Sequence, residues 1–375
     1  MGEFQRIPSC PTCGKPLPCI LHDRRTREAL LAPEIEKPGF ERMHGWTDAM
    51  SQGVCSMRRF GDALVLFTDG GEVFVKDLAR KDAPAVEMDL YGTSWRVGDF
   101  DGAKDYFPFS PSRGLYLSET GESYVLDFDA AGQPSVAARF DLGGETDDVV
   151  WLNDHEALAY LRVDSDTIEY DKRDRIKRVD FSKTPPRIEV RRLIAGRQGS
   201  MLCLASGTVL VGGSEGIFAH DPVSRSTDRV LLSPRGIGGM VETKAGIFAM
   251  TDKGLFEILP TTKGNFRALR IAEMPESEFS HTDDDLHAAS DMSLIALSAS
   301  KAYRIDLSVD PPAIEELFEP DGYPLSLLAV SADRVLIGTQ DSPLEEWALD
   351  NEKLRKYYEQ KSVIPDEDIP ELPEV

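Results

Sequence analysis

The chain has 375 residues, 41% hydrophobic and 29% charged, and carries a formal net charge of −23. That balance argues against nucleic acid, because phosphate contacts need a basic footprint, and makes a basic protein or a cation the natural complement. No stretch approaches the ~18 consecutive apolar residues of a membrane helix, so no membrane association is expected.

The first residues, Met-Gly-Glu-Phe-Gln-Arg, have no apolar core of the secretory kind. Three of the five cysteines crowd near the N-terminus, a usage that suits a reducing compartment better than a disulfide framework, and a cytoplasmic protein is expected. Within residues 1–28 the spacing Cys10-x2-Cys13-x5-Cys19-x2-His22 offers three thiolates and an imidazole, a set that suits a closed tetrahedral Zn²⁺ site with a structural role. Pro11 and Gly14 favour the tight knuckle that would aim Cys10 and Cys13 at one ion. Free thiols on a tail, or a redox Cys-x-x-Cys, are the competing readings, and His44 could replace His22. Residues 29–52 read as a linker or packing arm interrupted by Pro33, Pro38 and Gly39, with a short helix over Arg24–Leu31. Whether this arm also adds an edge strand to the domain that follows is left open.

From about Gly53 a unit of two apolar runs around a tight turn recurs. Its clearest copy is Gly207–Asp221, where Gly-Gly-Ser-Glu-Gly supplies a hairpin turn. Counted from Leu64, Leu115, Leu158, Val209, Ile247, Leu294 and Val335, seven copies lie about 38 to 51 residues apart, the period of propeller blades. Blade one is expected to have strands Val54–Phe60, Ala63–Thr68, Glu72–Lys76 and Ala85–Leu90, and blade five Gly239–Thr243, Gly246–Thr251, Gly254–Leu259 and Phe266–Ala272. Outermost strands, among them Arg187–Arg192 and Ala313–Phe318, alternate apolar with charged residues as a sheet edge should, whereas the central strands are apolar throughout because neighbouring blades cover both faces. Blade three carries an insertion, Asp164–Lys177, read as a hairpin extension. Blade seven is expected to complete its own four strands, ending with Leu354–Tyr358. The propeller should thus span residues 53–360, leaving 361–375 as an acidic, Pro-punctuated tail.

This pattern resembles the seven-bladed β-propellers of WD40 or YVTN-like repeats over residues 51–360, with turns such as Thr251-Asp252-Lys253-Gly254 similar to bacterial propeller repeats. The fold it implies is all-β, with four-stranded antiparallel blades. None of Trp46, Trp95, Trp151 and Trp347 is followed by Asp, so the repeats lack the dipeptide mark, and the resemblance assigns no activity.

Catalytic signals are weak. Gly212-Gly213-Ser214-Glu215-Gly216 matches the nucleophile-elbow pattern, but a second strand follows where a helix is needed. Cys55 and Cys203 stand alone in strand contexts, as small buried hydrophobes do. The histidines are scattered, with only His281 and His287 close together. Acids are more informative, because the loops between blades and those between second and third strands share one end of a propeller. Asp99, Asp101, Asp147, Asp148, Asp283, Asp284 and Asp285 fall there, interleaved with Trp95, Phe100, Phe279 and Tyr323. These residues are expected to form the contact surface for a basic protein partner, since buried aromatics concentrate binding energy and acids steer a basic surface. The reading is a monomeric, non-enzymatic scaffold or inhibitor, in its most concrete form an immunity protein against a basic toxin enzyme. The alternatives are a metal-dependent, lactonase-like hydrolase working through Asp147, Asp283 and Asp285, and a sensor or scaffold that binds partners on its rim.

Overall fold

The computed structural model describes residues 37–43, 53–80, 85–88, 103–118, 122–130, 133–143, 146–161, 175–192, 200–231, 236–262, 265–274, 286–298, 301–340 and 344–363. The zinc-ligand candidates Cys10, Cys13, Cys19 and His22, the Arg24–Leu31 helix and the tail from 364 onward lie outside them.

The first strand is β1 (Phe40–Met43). Blade one then has β2 (Val54–Phe60), β3 (Ala63–Thr68), β4 (Val73–Asp77) and β5 (Val86–Met88), and blade two β6 (Ala103–Ser110), β7 (Arg113–Ser118), β8 (Glu122–Phe128) and β9 (Pro134–Asp141). Blade three has β10 (Thr146–Asn153), β11 (Glu156–Leu161), β12 (Arg175–Asp180) and β13 (Arg187–Arg192), and blade four β14 (Ser200–Cys203), β15 (Val209–Gly213), β16 (Gly216–His220) and β17 (Thr227–Leu231). Blade five has β18 (Ile237–Glu242), β19 (Ile247–Thr251), β20 (Gly254–Pro260) and β21 (Phe266–Ala272), and blade six β22 (Leu286–Ser290), β23 (Ser293–Ser298), β24 (Lys301–Asp306) and β25 (Ala313–Phe318). Last come β26 (Pro324–Ser331), β27 (Arg334–Thr339), β28 (Glu345–Leu349) and helix α1 (Asn351–Val363).

Six of the seven four-stranded sheets use consecutive strands, and the seventh has the order β1-β28-β27-β26. The architecture is the expected all-β propeller of seven antiparallel blades, and the arm does contribute its outermost strand. The expected strand at Leu354–Tyr358 is instead part of α1. The physical reason is twofold. With β1 already paired to β28, the fourth-strand position those residues were expected to fill is taken. Their sequence also suits a helix, with Lys356 Nζ 2.8 Å from Glu352 Oε1 one turn away and Asp350 Oδ1 accepting the N–H groups of Glu352 and Lys353 at 3.0 Å. The β-propensity of Tyr357-Tyr358 is the misleading local signal.

The second strands β3, β11, β15, β23 and β27 are buried along nearly their whole length, while β17, β21 and β25 are largely exposed. Apolar runs therefore mark the layers sandwiched between blades. Leu64, Leu66, Leu328 and Leu336 join blades one and seven, and Leu158, Tyr160, Val209 and Val211 join blades three and four. By internal contacts the chain divides into two units: Arg42–Trp347, and Met1–Glu41 with Ala348–Val375. The first contains the strands that build the ring. In the second, Lys353 Nζ on α1 lies 2.6 Å from Glu41 Oε1.

Polar side chains staple the blades. Arg59 reaches the carbonyl of Val330 at 2.5 Å, Arg178 that of Pro222 at 3.1 Å, and Arg304 that of Ala332 at 2.6 Å. Arg178 also grips Glu156 in a bidentate pair at 2.8 and 2.9 Å, and Glu242 accepts the Ala205 N–H at 2.7 Å. Each bond to the backbone satisfies a carbonyl or N–H, in a turn or at the irregularity around Val330, that the sheet ladders leave over.

Candidate protein-binding face

Antiparallel blades send their turns to two ends of the ring, and the two ends use their acids differently. At the end holding the third-to-fourth-strand turns, aspartates build the turns. Asp77 Oδ1 accepts the Ala79 N–H at 2.9 Å, Asp129 Oδ1 that of Gln133 at 2.9 Å, and Asp221 Oδ1 that of Val223 at 2.8 Å. Asp180 and Asp306 each accept the N–H and the hydroxyl of the serine two residues on, Ser182 and Ser308. Those serine hydroxyls are the main reason that both carboxyls lie below the usual range, and Ser224 does the same for Asp221. Asp350 occupies the same place after β28, but the chain continues into α1, so the turn-former becomes a helix cap and its carboxyl is lowered chiefly by the Lys353 N–H. A recurring Asp at the end of the third strand is the signal that sequence reasoning passed over.

At the opposite end, the turns after the second strands and the links between blades leave acids exposed. Asp69, Glu215, Glu319 and Asp321 are exposed there, and Asp69, Glu215 and Glu319 have no ion pair among the described residues. Asp321 pairs with Arg42 of β1. Behind it lies Glu345, only 1% exposed, whose Oε2 accepts the Trp347 indole N–H at 2.9 Å and the Asp321 N–H at 3.3 Å. Trp347 stacks flat on Phe318 with centroids 4.3 Å apart. Tyr323, just before β26, is 49% exposed.

Among the residues expected to form the contact surface, Tyr323 is therefore an exposed aromatic beside exposed acids. Asp148 is placed differently, 6% exposed on β10 and pointing between blades. Its Oδ2 accepts the Met201 N–H of blade four at 2.5 Å, and its Oδ1 contacts the N–H of Val149 at 2.6 Å. It joins blades three and four and does not add to the exposed field. Asp147 sits on the same strand, with its side chain outside the description. Trp95, Asp99, Phe100, Asp101, Phe279, Asp283, Asp284 and Asp285 lie outside the described residues.

For chemistry, Gly213 pairs with Gly216 across a two-residue hairpin, so Ser214 occupies a strand-to-strand turn as its sequence implies. Cys55 and Cys203 are half-buried and packed against apolar clusters, and burial raises the Cys203 thiol. His220 is buried with Nδ1 3.0 Å from Thr227 Oγ1. Among the described residues no three His, Cys, Asp or Glu side chains converge as metal ligands, and no helix is long and apolar enough to cross a membrane.

No protein-family model matches the chain, and no curated protein matches its sequence. Solved structures do match. The β-propeller domain of Cps50 (Swd1) from Myceliophteria thermophila aligns with a TM-score of 0.59 at 13% identity, covering 82% of this chain and 99% of that one. The extracellular domain of the one-component system BT4673 of B. thetaiotaomicron aligns with a TM-score of 0.57 at 11% identity, covering 83% of this chain and 40% of that one. BamB from Moraxella catarrhalis aligns with a TM-score of 0.47 at 11% identity, covering 80% and 84%. At such identities the likeness is one of fold, and the chain is a seven-bladed β-propeller.

Proposed function

We propose that this chain is a non-enzymatic, protein-binding propeller of the cytoplasm whose acidic loop end docks a basic protein partner. The observation that supports it is the unequal use of acids. Asp77, Asp129, Asp180, Asp221 and Asp306 are engaged in turns at one end, whereas Asp69, Glu215 and Glu319 stand exposed at the other without an ion pair among the described residues, and Tyr323 is exposed at that end too. The sequence adds Trp95, Asp99, Phe100, Asp101, Phe279, Asp283, Asp284 and Asp285 in segments that join successive blades. Unneutralised acids around an aromatic anchor suit a basic surface, steering its approach and leaving contact energy to the ring. The concrete form of the proposal is an inhibitor that covers the active site of a basic toxin enzyme, acting as a monomer.

The N-terminal residues Cys10, Cys13, Cys19 and His22 would hold a structural Zn²⁺ in this reading. Three thiolates and one imidazole fill a tetrahedral shell and leave no open position for water.

The test is an affinity pull-down from the source cell's lysate at low and high salt, repeated with an Asp69→Lys/Glu215→Lys/Glu319→Lys variant. One basic protein held at low salt, shed at high salt and lost by the variant is the expected result. Recovery of no partner at either salt, or equal recovery by the variant, would overturn the proposal. Elemental analysis of the full chain against Cys10→Ser/Cys13→Ser tests the zinc: about one equivalent that disappears in the variant is expected.

A further inference from the structure

Glu345 is buried, and its two carboxylate oxygens are served unequally. Oε2 accepts the Trp347 indole N–H at 2.9 Å and the Asp321 N–H at 3.3 Å. Oε1 is equally shut off from solvent, yet no hydrogen bond reaches it among the described residues. A buried acceptor left without a donor is unfavourable. The guanidinium of Arg42 faces it without closing the gap. One of its nitrogens, Nη1, bonds Asp321, and the other, Nη2, stops 3.9 Å from Glu345 Oε1, too far for a hydrogen bond. Two carboxylates thus converge on one guanidinium, and only the outer one is satisfied by it.

We propose that Asp321 and Glu345 form a pocket for an arginine side chain of the basic partner, in which Arg42 holds the place until the partner's arginine displaces it. The proposal rests on the reading of an acidic, partner-binding end and names the kind of side chain that this end takes.

The link that carries the outer acid is fixed before any partner arrives. In Phe318-Glu319-Pro320-Asp321-Gly322-Tyr323 the first and third residues are buried, and Phe318 lies flat on Trp347. The Asp321 N–H is bound to Glu345, and the Tyr323 carbonyl accepts the Gln340 N–H at 2.9 Å. Little ordering of the pocket is left to oppose binding. Arg42, in contrast, stands on β1, the edge strand of its sheet. Its side chain is 38% exposed and that of Asp321 63%, so water competes for their ion pair and exchange costs little. Glu345 lies beneath and offers an incoming group what Arg42 does not obtain, an acceptor shielded from water, where a charged hydrogen bond is strong. Geometry then selects arginine among basic side chains. A guanidinium has five N–H groups in one plane and can take Asp321 along one edge and Oε1 along another, whereas lysine is a single hydrated point charge. Glu319 and Tyr323, exposed on the same link, supply further charge and an aromatic face to the rest of the partner.

The experiment uses the full chain and two acetylated, amidated tripeptides, Gly-Arg-Gly and Gly-Lys-Gly, with binding read from the Trp347 indole N–H resonance at low salt. Arg42→Ala should bind the arginine peptide at least tenfold more tightly than wild type does, and at least tenfold more tightly than it binds the lysine peptide. Arg42→Ala/Glu345→Gln should lose that gain. If Arg42→Ala loosens the last blade, the same peptides are scored by the Tm they restore, which the arginine peptide should raise and the lysine peptide should not. Equal affinity of wild type and Arg42→Ala, equal binding of both peptides, or a gain that survives Glu345→Gln would overturn the proposal. So would calcium or potassium chloride matching the arginine peptide, since an inorganic cation would then be the occupant. The acidic-end reading fails separately, through the pull-down above, whose variant leaves Arg42, Asp321 and Glu345 intact.

Discussion

The seam between blades seven and one offers the sharpest test of the packing argument, through Gly338→Ala. Gly338 lies on β27, and a Cβ there would fall 2.0 Å from the carbonyl oxygen of Val54 and 2.4 Å from Ser326 Oγ. An ordinary C···O approach is about 3.3 Å or more, so β2 and β27 would have to part by over an ångström. That shift also breaks the buried 2.7 Å hydrogen bond from the Ser326 hydroxyl to the same Val54 carbonyl. Overpacking of this kind costs about 1–3 kcal/mol, and the lost hydrogen bond adds about 1. A total of about 2–4 kcal/mol corresponds, in a chain of 375 residues, to a fall in Tm of roughly 3–5 °C by scanning calorimetry. Gly236→Ala is the control, because nothing lies within 4 Å of its added Cβ and its backbone is not left-handed. If Gly338→Ala melts within a degree of wild type, the seam is not close-packed and the account of ring closure fails.

Asp148→Ala should cost about 2–3 kcal/mol, because the buried Met201 N–H loses a charged acceptor; Asp148→Asn should cost less, and amide exchange at Met201 should accelerate in both. The turn aspartates predict acid sensitivity with a definite sign. Asp180, Asp221, Asp306 and Asp350 have lowered folded values, so their contribution is fully present above about pH 4 and is lost as pH falls through those values. Ser182→Ala/Ser308→Ala should therefore be less stable than wild type at pH 7, with the gap in Tm narrowing toward pH 2.5. Asp350→Ala should reduce the helical signal at 222 nm while leaving the β-sheet signal unchanged, since the cap it removes belongs to α1.

The blades were legible because their physics is local. A run such as Ala63–Thr68 is apolar at every position only if both faces are covered, and the hairpin glycines fix where it reverses. Closure was not legible, because it depends on a pairing between β1 and β28 across the length of the chain. The segment Phe40-Glu41-Arg42-Met43 has neither the apolar run nor the alternation that marks the other strands. Arg42 shows why the strand fits: Asp321, far away in sequence, supplies its counter-charge, while the adjacent Glu41 is taken by Lys353. The same distinction applies to Asp148: an acid at the start of a blade reads as a loop acid, yet its carboxylate is buried against the Met201 N–H of the next blade. Loop acids could be assigned to an end of the ring, but burial had to come from the register.

Charge sorting follows from the same geometry and bears on function. A chain with 65 acidic and 42 basic residues must place its excess somewhere. Turn-forming aspartates absorb part of it at one end, where each carboxylate satisfies backbone N–H groups that water would otherwise serve. Arginines absorb another part within the blades, as Arg178 on β12 does with Glu156 on the neighbouring β11. The acids left at the second-to-third-strand turns, Asp69 and Glu215 among them, make no comparable side-chain bond among the described residues. The outer strands carry both signs, Arg267 and Arg270 on β21 but Glu315 and Glu316 on β25. On the proposed reading, it is the acids left without a turn to build that give the ring an electrostatic direction, and direction is what a surface needs to orient an incoming partner.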